Sequence, residues 1–168
     1  MSLLAGVALA ETVRAYVPDD ADLALKWPND LLLDGAKLAG ILTESHGTGG
    51  TIDWVVLGIG VNLAHAPDLP DRRTAKLPAA PDAEDFARAL LERLGHWLNV
   101  LEVDGFAPIR AAWRTHAQPV GSAMTLKLGG TEHEGAFAGL GDDGGLRLDI
   151  GGTIRNFTAG EVLLPLGG

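Results

Sequence analysis

Three short segments hold residue types that could do chemistry together. In Lys26-Trp27-Pro28-Asn29-Asp30 an ammonium, an amide and a carboxylate fall within five residues, and the proline fixes the backbone between them. An amide donates and accepts, a carboxylate can hold Mg²⁺ through water, and a lysine can meet phosphate. The plain alternative is a Pro-Asn-Asp turn closed by an Asx bond. In Lys37-Leu38-Ala39-Gly40-Ile41-Leu42, strict alternation along a strand puts Ala39 and Ile41 on the face of Lys37. Leu38, Gly40 and Leu42 then share the other face. A glycine inside a strand marks a close approach by ligand or backbone, or else a bulge or packing notch. The third segment, Gly58-Ile59-Gly60-Val61-Asn62, opens like a dinucleotide fingerprint. No third glycine follows and no helix starts there, so the Rossmann reading fails. Two glycines on one strand face suit a flat apolar ligand lying on a sheet, or tight strand packing.

The elements that must position these segments are legible from periodicity and turn residues. Leu3, Leu4, Val7, Ala8, Ala10, Val13 and Tyr16 recur at helical spacing, and Pro18 ends a helix over about 3–17. Leu23 to Trp27 alternates as a strand. Leu31 to Leu33 and Lys37 to Ser45 read as a hairpin around Asp34-Gly35, and Thr51 to Gly60 as the next strand. Residues 64–83, with four prolines, two arginines and a lysine, form a long irregular loop that is expected to be mobile. Two helices follow. The first, Glu84 to Val103, takes Asp82 as N-cap and turns Phe86, Leu90, Leu91, Leu94, Trp97, Leu98 and Leu101 to one face. The second covers Phe106 to His116. After Pro119, four short strands with glycine turns describe a small barrel, so a boundary falls near 117–120.

Composition narrows the chemistry. The 168 residues are 46% apolar and 21% charged, which supplies a core and excludes a disordered chain. Twenty-two acids against thirteen bases leave no basic face for nucleic acid, so no nucleic-acid partner is expected. The absence of cysteine removes disulfides, thiol catalysis and thiolate metal sites, and the five histidines lack the spacing of a zinc site. No apolar run is long enough to span a bilayer, and no basic segment follows Met1, so a cytoplasmic protein without a membrane partner is expected. Only three bases precede residue 60, namely Arg14, Lys26 and Lys37, which draws attention to the two lysines.

The order of the motifs is more specific than any one of them. K-W-P-N-D, six residues, K-L-A-G-I-L, fifteen residues and G-I-G-V-N follow one another, and Gly160-Glu161-Val162 closes the C-terminal strands. With that order the chain resembles the biotin protein ligases of the biotin/lipoate ligase superfamily. The resemblance implies an α+β fold: a mixed or antiparallel sheet with helices, part of a class II synthetase-like core, over 1–117, and a small SH3-like barrel over 118–168. It implies ATP-dependent activation of biotin to biotinyl-AMP and transfer to a lysine of a biotin carboxyl carrier domain. Lys37 matches the family's essential lysine, between the biotin carboxylate and the α-phosphate, and the implied fold puts it on one concave sheet face with Gly40 and Gly60. Gly40, Leu42, Gly58 and Gly60 match positions beside biotin. Lys26, Asn29, Asp30 and Asn62 match the nucleotide side, with Asp30 a candidate Mg²⁺ ligand.

The family also carries a Gly/Arg-rich loop upstream of its first long helix, and this sequence has one arginine before position 72 and no Arg-Gly repeat. A further upstream segment is therefore expected in the natural chain, and adenylation by these residues alone is expected to be impaired. The alternative is a non-catalytic remnant serving as a ligand-binding, interaction or regulatory module. An incomplete sheet would expose an edge strand, which favours a homodimer.

Overall fold

Helix α1 (Ser2–Arg14) is buried on nearly every side, because ten of its thirteen residues are apolar, small or internally bonded and face neighbours all round. The computed structural model describes residues 1–49, 51–70 and 72–164. Helix α1 stops at Arg14 rather than at residue 17. Beyond it the Arg14 guanidinium bonds the carbonyls of Pro18, Asp19 and Ala21 and holds the turn they form. On α1 lie the first four strands, β1 (Leu23–Lys26), β2 (Asp30–Leu33), β3 (Ala36–Thr48) and β4 (Thr51–Val61), an antiparallel meander in sequence order. Asp34 and Gly35 join β2 to β3 with φ of 50° and 71°, the left-handed pair that a two-residue hairpin turn requires.

Leu23, Leu25, Leu31, Leu33, Ala39 and Ile41 turn the inner face of this sheet into the core against α1. A fully buried leucine such as Leu31 contributes about 1.5–3 kcal/mol by leaving water. Helices α2 (Ala83–Asp104) and α3 (Phe106–Thr115) complete the helical layer. Asp82 caps α2 by accepting from the backbone N–H of Glu84 and Asp85. Of the residues expected on its inner face, Phe86, Leu90 and Trp97 are buried, but Leu91 and Leu98 are exposed. A helix packed against two neighbours buries a narrower stripe than its apolar content suggests.

The C-terminal residues form β5 (Ala123–Leu128), β6 (Thr131–Leu140), β7 (Leu146–Ile150), β8 (Thr153–Phe157) and β9 (Glu161–Leu163), with no helix among them. Strand β9 is three residues long and carries too little pattern to be read from sequence. Their hydrogen-bonded order is β8-β7-β6-β5-β9. Glycine turns dictate antiparallel pairing but not closure, and the pairing among the described residues is that of a sheet. The apolar core runs without interruption from α1 into Phe137, Leu146, Leu148 and Phe157.

Candidate functional site

The pairing of the first sheet brings the sequence motifs into one row. Lys26 pairs with Asp30, Asp30 with Gly40, and Gly40 with Gly60, so these four residues lie side by side across β1 to β4 on the outer face. Leu42 and Gly58 form the next row on that face. Leu42 is 71% exposed, and Trp54 and Val56 continue the same exposed surface toward the tip of the β3–β4 ribbon.

Lys37 reaches this face through a bulge. Leu31 pairs with Ala39 while Leu32 pairs with Lys37, leaving Leu38 as the extra residue. Strict alternation would have sent Lys37 to the side of Ala39 and Ile41. The bulge reverses the phase, and the ammonium lies 2.5 Å from the Asp30 carboxylate. Asp30 is 5% exposed. Its second oxygen is 3.0 Å from the Lys26 ammonium, which also donates to the carbonyl of Val162 at 3.2 Å. Oδ1 of Asp30 lacks a hydrogen bond of ordinary geometry, so its link to Lys37 is a charge contact. Two ammoniums against one carboxylate leave this cluster with one net positive charge. Such a cluster suits an incoming monoanion or phosphoryl oxygen.

The two asparagines brace the backbone around the lysine. Asn29 accepts from Ile41 N through its carbonyl at 2.9 Å and donates from Nδ2 to Ile41 O at 2.8 Å. Beyond Val61 the chain leaves the sheet, and residues 73–75 take the place of β4 beside Lys37. Lys37 N donates to Arg73 O, and Ala75 N donates to Lys37 O, both at 2.9 Å. Asn62 fixes that return, donating from Nδ2 to Ala75 O at 2.8 Å, while Leu77 N donates to its carbonyl. Part of the loop expected to be mobile is thus tied down, with Arg73 and Ala75 bonded to Lys37 of β3, and Leu77 bonded to Asn62 and buried.

The glycines on the outer face differ in their reasons. A Cβ at Gly40 would lie 3.2 Å from Nζ of Lys37 and 3.6 Å from Asp30 Oδ1. At Gly60 it would meet nothing within 4 Å, and at Gly58 only Leu42. None of the three has a positive φ. Neither backbone conformation nor internal packing calls for glycine at 58 or 60, which leaves a flat surface on which a planar group can lie. An Mg²⁺ ion held by Asp30 does not fit this arrangement. Both oxygens already face ammoniums, and no group of three His, Asp or Glu side chains gathers among the described residues.

Sequence reasoning missed the bulge at Leu38, the return of residues 73–75 beside Lys37, and the seam to the C-terminal sheet. At that seam the Trp27 indole N–H donates to Gly144 O at 3.1 Å, next to the Lys26–Val162 bond. The Trp in K-W-P-N-D and the Val in G-E-V were both visible as motif members, but nothing local indicates that the two motifs meet.

Residues 1–62 match the model of the biotin/lipoate A/B protein ligase family. The chain is similar to the biotin–[acetyl-CoA-carboxylase] ligase of Paracoccus denitrificans, 40% identical over 88% of this chain and 65% of that protein. It is also similar to the ligase of the same name from Mycobacterium tuberculosis, at 35% identity over 97% of this chain and 61% of that one. The chain therefore spans somewhat under two thirds of these relatives. Its fold matches the biotin protein ligase of Aquifex aeolicus solved with biotin and ATP, with a TM-score of 0.76 at 22% identity over 96% of this chain and 69% of that one. The K-W-P-N-D, K-L-A-G-I-L and G-I-G-V-N segments, whose Lys26, Asp30, Gly40 and Gly60 share one sheet face, all lie within the residues that match the biotin/lipoate A/B protein ligase family.

Proposed function

We propose that this chain carries the catalytic sheet face of a biotin–protein ligase, which activates biotin with ATP to biotinyl-AMP and passes the biotinyl group to a carrier lysine. The observation that carries the reading is the outer face itself. A singly positive cluster at Lys26, Asp30 and Lys37 adjoins a surface kept flat by Gly58 and Gly60. Biotin offers the matching pair of features, a carboxylate on an apolar chain that leads to a fused ring system. Its ring and valeryl chain would lie across Gly58, Gly60 and the exposed side chain of Leu42, with the carboxylate toward Lys37.

Adenylation requires two anions, the carboxylate and the α-phosphate, to approach within bonding distance. Lys37 would offset the charge on the equatorial oxygens of the five-coordinate α-phosphorus as the carboxylate oxygen attacks and pyrophosphate departs. Lys26, Asn29, Asp30 and Asn62 flank Lys37 and would border the nucleotide. The mixed anhydride then needs only the free amine of an acceptor lysine, which displaces AMP from the acyl carbon. The acceptor in this reading is the biotin carboxyl carrier domain of a carboxylase, in the cytoplasm. Residues 1–117 would form the ligase unit and 118–168 a C-terminal unit joined to it through Trp27 and Lys26.

The reading is tested by incubating the protein with biotin and ATP and measuring biotinyl-AMP by mass spectrometry, beside Lys37→Ala. Adenylate is expected to fall by about 100-fold or more in the variant, the scale of losing one charge stabiliser in an excluded site. Adenylate formed equally well by Lys37→Ala would overturn the assignment.

A further inference from the structure

Lys37 lies at the mouth of the glycine face, on a flexible four-carbon stem that would ordinarily sweep through solvent. Its ammonium is instead fixed over a buried carboxylate, and the approach is made possible by a missing side chain. Asp30 and Gly40 are direct cross-strand partners, and the Lys37 stem crosses the position that a Cβ on Gly40 would crowd, at 3.3 Å from Cε and 3.2 Å from Nζ. Gly40 has an ordinary strand backbone, and the three nearest atoms to that Cβ all belong to Lys37 and Asp30. The ion pair therefore accounts for the glycine, where conformation does not. Asp30 is itself held from the other side by Lys26, which the Val162 carbonyl anchors in the C-terminal sheet.

We propose that Asp30 is the positioning residue for Lys37, seating its ammonium at the edge of the Gly58–Gly60 face through the gap left by Gly40. The proposal rests on the ligase reading for its purpose, since it is the biotin carboxylate that a pre-placed ammonium would meet. A lysine already seated loses little conformational freedom when the anion arrives. The carboxylate acts through Lys37 and touches no reacting atom. Its role is thus distinct from the metal-ligand role expected of Asp30 from sequence.

The chain contains four lysines, Lys26, Lys37, Lys76 and Lys127, so their side-chain amino groups can be resolved individually by ¹⁵N-detected NMR. Proton exchange hides the amino signals of solvated lysines and spares those held in ion pairs. In the unmodified protein the signals of Lys26 and Lys37 are expected, and those of the exposed Lys76 and Lys127 are not. In Asp30→Asn both should be lost. In Gly40→Val, whose methyl groups occupy the ammonium's seat while suiting a strand, the Lys37 signal should vanish and the Lys26 signal persist. The Trp27 indole N–H signal, bonded across the seam to Gly144, reports that each variant remains folded.

If Asp30→Asn does not fold, Gly40→Val decides alone. A Lys37 signal absent from the unmodified protein, or one retained in a folded Gly40→Val, overturns the proposal. Failure of the ligase reading looks different. A Lys37 signal that behaves as expected in both variants, yet does not shift on adding biotin, keeps Asp30 as the positioning residue and removes biotin as its object.

Discussion

In the five-stranded sheet Gly135 and Gly139 lie within β6, the first where a Cβ would meet Asp149 O at 2.6 Å, and four other glycines sit at turns between strands. Gly129 and Gly130 join β5 to β6, Gly151 and Gly152 join β7 to β8, and all four have φ between 57° and 86°. In the four-stranded sheet Gly40, Gly58 and Gly60 lie inside strands with ordinary backbone angles. The first group is there because the chain must reverse, and any residue with a Cβ would strain it. The second group weakens the strands that contain it, since glycine loses more entropy on ordering and packs nothing. That cost is explicable at Gly40 by Lys37 and at Gly58 and Gly60 by something that lies on the sheet. Two regions with similar pairing thus show how a fold requirement and a site requirement differ when the residue type is the same.

The largest effect that separates the two groups is expected at Gly60→Val. A side chain there meets nothing within 4 Å in the protein, so stability should be unchanged or slightly raised by better strand propensity. Biotin affinity, measured by calorimetry, should fall by about 10- to 100-fold, the equivalent of the 1–3 kcal/mol typical of overpacking a fitted surface. A thermal midpoint that drops while affinity holds would place Gly60 with the turn glycines and erase the distinction.

The converse substitution is Gly152→Ala. Its φ is 86° and a Cβ there also finds open space, so backbone strain is the sole cost. The expected loss is about 1–2 kcal/mol of unfolding free energy in urea, with biotin affinity unaltered. Altered affinity at full stability would mean that the C-terminal turns reach the ligand face.

How far the sequence revealed this arrangement follows from the same contrast. The hairpin at Asp34-Gly35, the cap at Asp82 and the turns after Pro119 were legible because local chemistry sets them: a left-handed pair, a carboxylate facing free N–H groups, a glycine needed for a reversal. The three site motifs were legible as types and order. Their common face followed from the family resemblance and not from the local pattern, since period-two counting assigns Lys37 to the side of Ala39. The bulge at Leu38 that corrects it arises from pairing with β2 and leaves no mark in the local sequence. Leu91 and Leu98 were placed inside for a related reason. Apolar spacing defines a stripe on α2, but the width that α1 and α3 cover is a property of the packing. The braces from Asn29 and Asn62 were invisible because each depends on a backbone partner at least twelve residues away.

The smallest expected effect lies where the end of α3 meets β1 and tests whether stability there can be changed without touching the ligand face. His116 ends α3, and its carbonyl accepts from Leu25 N at 2.6 Å, tying the helix to β1. Burial of the imidazole lowers its pKa below 6.5, and Arg14 acts in the same direction while Glu11 opposes it. The unfolded chain therefore binds a proton here more readily than the folded protein. Above about pH 6.5 the ring is neutral in both states and the full stability is present. As pH falls through 6.5 toward the lower folded value, the unfolded state gains the proton first and stability declines. His116→Gln removes that titration. The difference in urea-unfolding free energy between protein and variant should therefore change between pH 7.5 and pH 5.5, with the unmodified protein losing more. Biotin affinity should keep the same ratio between the two at both pH values. A constant stability difference across this window would show that the ring titrates alike in both states, and that the contact between α3 and β1 is open to water at this point.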